Sequence, residues 1–110
     1  MRKRTLAVMA LSVALTGCAL GKFQDSPQKE MTVDGFPMAL RVVHEGSEFE
    51  IMSGRWEFIY LADNPLRDKK LATTVADSEA TAICGQKKSQ LIDRDKPEGT
   101  SMWFSRYRCD

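Results

Sequence analysis

Thr74-Val75-Ala76-Asp77-Ser78-Glu79-Ala80-Thr81-Ala82-Ile83-Cys84-Gly85 is the stretch from which the architecture is read. Ala76, Ala80, Ile83 and Cys84 recur at i, i+4, i+7 and i+8, which is one face of an α-helix. Asp77 and Glu79 fall near its start, where negative charge suits the helix dipole. Thr74 is the expected N-cap, with Asp77 three residues on as an imperfect capping box. Gly85 supplies the stop. Three small residues on the apolar stripe predict that this helix lies close against a sheet.

The sheet is read on both sides of that helix. Before it, Met38–Val43 and Phe49–Met52 read as strands joined by the turn residues Glu45-Gly46-Ser47-Glu48. A further turn at Ser53-Gly54-Arg55 leads to Trp56–Leu61, an aromatic-rich strand signal closed by Asn64-Pro65. After the helix come Ser89–Asp93, a turn-rich loop over 94–100, and a last strand, Met102–Cys109. In that strand Trp103, Ser105, Tyr107 and Cys109 share one face by the period of two. If Cys109 points at the helix, Trp103 and Tyr107 do too. The expectation is an α+β domain in the order β-β-β-α-β-β, a small antiparallel sheet with one helix on one face.

The N-terminus belongs to a different kind of sequence. Arg2, Lys3 and Arg4 precede an apolar run from Leu6 to Leu15, the layout of a secretory signal peptide. The run is about ten residues, and a membrane span needs roughly 20. It ends in Leu15-Thr16-Gly17-Cys18, which resembles the lipobox of bacterial lipoproteins. The resemblance implies cleavage before Cys18, lipid on the Cys18 thiol, and acylation of the new amino group. It therefore implies a signal peptide over 1–17 and attachment to a membrane in the cell envelope. Ala19, where aspartate would mark retention, is similar to the pattern of lipoproteins passed to an outer membrane, facing the periplasm. The polar, turn-prone residues that follow read as a flexible lipidated tether over 18–30, with a single domain over 31–110.

That assignment changes the charge and the cysteine count. The whole chain holds 16 basic and 15 acidic residues, and residues 1–17 remove three basic ones, leaving a net charge of −2. A nucleic-acid partner is therefore not expected. With Cys18 carrying lipid, Cys84 and Cys109 form an even pair, and in an oxidising exported compartment a disulfide is expected to staple helix to last strand.

Chemistry-bearing motifs are scarce. His44 is the single histidine, and with Cys84 and Cys109 it makes three metal ligands on paper only, at a spacing unlike a compact finger. No Gly-x-Ser-x-Gly elbow, phosphate loop or dinucleotide fingerprint occurs. No catalytic set, metal or cofactor is expected beyond the covalent lipid. Lys69-Lys70 and Lys87-Lys88 read as solvated surface. Trp56, Phe58 and Tyr60 share one strand face and are the candidate partner-binding residues. The functional expectation is a non-enzymatic envelope lipoprotein that binds another envelope protein or serves a structural role. The alternative is a periplasmic inhibitor or sensor that docks its target through that aromatic face.

Overall fold

The computed structural model describes residues 21–55, 64–98 and 100–110. Five antiparallel strands and one helix follow in the order β1 (Lys29–Val33), β2 (Phe36–Glu45), β3 (Glu48–Arg55), α1 (Pro65–Cys84), β4 (Ser89–Asp95) and β5 (Trp103–Cys109). Across the sheet the order is β1-β2-β3-β5-β4, so the last strand fills the place beside β3 and β4 forms an edge. The expected α+β class, the order of elements and the disulfide are all present.

The identities of two elements differ from the expectation. Asp34 and Gly35 both take positive φ, 51° and 83°, which closes a two-residue hairpin between β1 and β2. The first strand therefore begins at Lys29, two residues inside the stretch expected to be tether. The strand expected at 56–61 lies outside the described residues. The hairpin at Gly46-Ser47 is as expected, with Glu45 paired to Glu48 and positive φ at Gly46.

The helix starts nine residues earlier than Thr74. Asn64 is its cap, its side-chain oxygen accepting from the Arg67 backbone N–H at 3.1 Å, and Pro65 stands in the first turn, where a missing N–H costs nothing. Thr74 is an exposed mid-helix residue. The added turns carry Leu71, Ala72 and Val75 onto the apolar stripe ahead of Ala76, Ala80 and Cys84. Gly85, at φ 62°, ends the helix and donates its N–H to the Thr81 carbonyl.

The core lies between that stripe and one sheet face. Met38 and Leu40 of β2, Phe49 and Ile51 of β3 and Tyr107 of β5 meet the helix there. Small helix residues allow a close approach, close enough for the buried Ser53 hydroxyl to donate to the Ala72 carbonyl at 2.9 Å. Cys84 and Cys109 are bonded, with 5.4 Å between their Cα atoms and a separation of 25 along the chain. Closing a loop of that length stabilises the fold by roughly 3 kcal/mol in the chain-entropy view.

The other sheet face is covered by residues 21–26. Phe23 is 1% exposed and meets Phe104 edge-on, with ring centroids 5.6 Å apart. Gln24 and Ser26 donate backbone N–H groups to the carbonyls of Gly21 and Phe23, folding the stretch into turns. Ser26 Oγ then donates to the Val42 carbonyl and accepts from the Val42 N–H, at a point on β2 beyond the end of β1. Residues 21–26 are thus part of the domain: one buried phenylalanine and a set of backbone bonds outweigh the polar composition that suggested a tether.

Candidate functional site

The start of α1 and the connection from β4 to β5 are brought together at one end of the sheet. Because Asn64 and Pro65 set the helix origin there, Leu66 and Lys69 lie across from Trp103, the first residue of β5. A cavity of about 240 Å³ opens between them. Pro65, Leu66, Asp68 and Lys69 form one wall, Lys96, Thr100 and Ser101 the other, and Trp103 lines it as well.

Leu66 is 82% exposed, the most exposed large apolar side chain among the described residues. The Lys69 ammonium sits 5.2 Å from the centre of the Trp103 ring. On the opposite wall Lys96 donates to the Thr100 carbonyl, and the Thr100 hydroxyl donates to that of Pro97. These bonds fix the shape of the wall. Asp68 is buried beneath, and its charge is met by Arg55 at 3.4 Å and Arg67 at 3.2 Å. Both guanidiniums stack over Phe36, at 5.0 and 4.6 Å from its ring centre. Both arginines thus face the acid, and Lys69 and Lys96 line the cavity beside it. Such a site suits an apolar group that carries or adjoins a carboxylate.

A second polar cluster holds the neighbouring strands in place. Tyr107 donates its hydroxyl to Asp77 at 2.7 Å, and Arg94 donates to Asp77, to the Tyr107 oxygen and to Ser105 at 2.6, 2.9 and 2.9 Å. Burial first, then the Asp77 carboxylate, pushes the Tyr107 phenol up to about 12. These groups satisfy one another and tie α1 to β4 and β5.

The residues singled out in the sequence fall as follows. Cys18, Trp56, Phe58 and Tyr60 lie outside the described residues. Cys84 and Cys109 are joined to each other, so they do not combine with His44 as thiolate ligands. His44 is exposed on β2 and contacts Phe49, which pairs with Tyr107. Tyr107 is four residues along β5 from Trp103, on the order of 13 Å at the rise of a strand. Among the described residues, no three His, Cys, Asp or Glu side chains are grouped to hold a metal ion, and no helix is long and apolar enough to cross a membrane.

Sequence reading took Trp103 as core and Lys69 as plain surface, and it passed over Leu66 and Lys96. Trp103 does pack against the core cluster, but it is only partly buried, and its remaining surface lines the cavity. The available signal was Asn64-Pro65 as a helix start, which would have placed Leu66 and Lys69 at the beginning of the helix. In comparison with known proteins, the chain matches no family model, no curated protein and no solved structure.

Proposed function

We propose that this chain is a lipid-anchored envelope protein, held at the outer membrane through Cys18 and facing the periplasm. Its small domain binds another envelope protein without catalysis. Leu15-Thr16-Gly17-Cys18 supports the address, and the Cys84–Cys109 bond is consistent with an exported, oxidising compartment. The observation that carries the binding role is the cavity between Leu66 and Trp103. It combines an exposed leucine, an aromatic wall and a rim of Lys69 and Lys96. A partner segment with a protruding apolar side chain beside an aspartate or glutamate would fill it. Such a buried anchor with a polar surround is how interface energy concentrates.

The test places a photo-crosslinking residue at Leu66 in the full-length chain, in cells that make the protein. A discrete adduct to one envelope protein is expected, lost with Trp103→Ala and reduced with Lys69→Glu while the domain stays folded. It should also fall with Cys18→Ala, which removes the anchor. An adduct of equal yield from Arg108, on the opposite sheet face, or one indifferent to Trp103→Ala, would refute the cavity as the binding site.

A further inference from the structure

We infer that the sheet face opposite the helix is held against the headgroup layer of the membrane, so that α1 and the cavity point away from it. The inference rests on lipid attachment at Cys18 and adds an orientation to it. Three peptide steps separate Cys18 from Gly21, and a fully extended chain covers at most about 11 Å in that distance. Had the whole stretch to residue 30 been free, the reach would be about 40 Å, and any face could have turned to the bilayer.

The connection cannot lengthen cheaply, because residues 21–26 are clasped to the sheet by independent contacts. Phe23 is buried on Phe104. Ser26 bonds both backbone groups of Val42, and the Arg41 guanidinium donates to the carbonyls of Phe23 and Ser26. Lys22 pairs with Glu45 and Glu50. Peeling the segment away would expose the phenyl ring and break all of these together. The lipidated residue sits at the membrane surface, where headgroups add roughly 5–8 Å outside the hydrocarbon. The face over which Gly21 emerges must then lie at that surface, with the helix one layer further out.

Charge on this face does not draw it to a membrane. Arg106 donates to Glu45, Glu48 and Glu50 at 2.6, 3.0 and 3.1 Å, Lys22 pairs with Glu45 and Glu50, and Arg41 donates to backbone carbonyls of the clasp. By register Glu30, Asp93 and Asp95 share the face with Arg108, so its carboxylates outnumber its cations. The orientation is therefore set by the length of the connection, and is expected in a bilayer of neutral lipid.

The experiment uses the full lipidated chain, purified from membranes and placed in phosphatidylcholine nanodiscs with and without a gadolinium-chelating headgroup lipid. Mass analysis first establishes whether Cys18 carries acyl chains; their absence refutes the lipid reading itself. With acylation established, paramagnetic broadening should be strongest at Lys22–Asp25, Met52 and Phe104, and weakest along α1 at Thr73 and Thr81. Equal broadening on both faces, or stronger broadening along α1, overturns the orientation. A variant with about twelve Gly/Ser residues inserted before Gly21 gains a flexible reach of roughly 20 Å. It should lose the contrast between faces. A contrast that survives the insertion, or one that appears only with anionic lipid, would show that the length of the connection is not what orients the domain.

Discussion

The two faces of this sheet are covered in different ways. On one, a 20-residue helix lays alanines, a leucine and a valine over Met38, Leu40, Phe49, Ile51 and Tyr107, and a disulfide pins its end. On the other, a single turn seats Phe23 on Phe104, and charge pairs around Arg106 occupy the rest. The helix face is dry, closely spaced and made of side chains that leave few alternatives. The opposite face is a local clasp beside solvated ion pairs. The comparison separates two jobs: the first face makes the domain stable, and the second fixes how the N-terminal chain leaves it.

The largest expected effect breaks the first face. Ile51→Ala removes a fully buried side chain from beneath the helix and should destabilise by about 4 kcal/mol, since the small residues opposite cannot close the hole. In a domain of this size that lowers the thermal midpoint by some 15 °C or more, measured by circular dichroism. Phe23→Ala should cost less, about 3 kcal/mol at the low end for a phenylalanine, because its turn can relax away from the sheet. Amide exchange should then show residues 21–26 opening while α1 stays protected. If Phe23→Ala opens the helix as well, the outer face is a second core rather than a clasp.

How much of this was legible follows from the range of each signal. Ala76, Ala80 and Cys84 repeat along the chain itself, so the second half of α1 could be read directly. Its first half was masked by Pro65, because an Asn-Pro pair ends a strand as readily as it caps a helix. Asp34-Gly35 carries a strong two-residue hairpin signal, but the strand before it is short and largely exposed, so β1 lacked the alternation that marks a strand. Phe23 was unreadable for another reason. Its partner Phe104 lies far along the chain, and nothing local distinguishes a buried phenylalanine in a polar stretch from an exposed one. The cavity has the same origin, since Leu66 and Trp103 meet only once the sheet order places β5 beside β3.

A smaller effect sharpens the account of the helix face, where Tyr107 joins α1 to β4 and β5. Its phenol is pushed up from 10.0 to about 12 by burial and by Asp77. The folded state therefore keeps this proton where the unfolded chain has lost it. The contribution is intact below pH about 10 and drains away as pH rises towards 12. Tyr107→Phe should flatten that alkaline limb of stability, read by urea unfolding across the range. An unchanged limb would place the alkaline loss elsewhere.

The smallest effect probes the ion pairs of the outer face, and its smallness is the point. Arg106→Ala should cost less than about 1 kcal/mol, and less again in high salt, because exposed pairs are screened. Glu45 supplies the sign of the pH dependence: the Arg106 hydrogen bond first, then the Lys22 charge, holds its carboxyl below the ordinary value of 4.5. Its contribution is present above that value and disappears as pH falls through the lower, folded one. Arg106→Ala should therefore flatten the acid limb slightly while leaving residues 21–26 protected in exchange. If instead the variant frees that segment, the ion pairs and not Phe23 hold the clasp. The connection to Cys18 would then lengthen in acid or salt, whereas a clasp held by buried phenyl rings keeps its length in both.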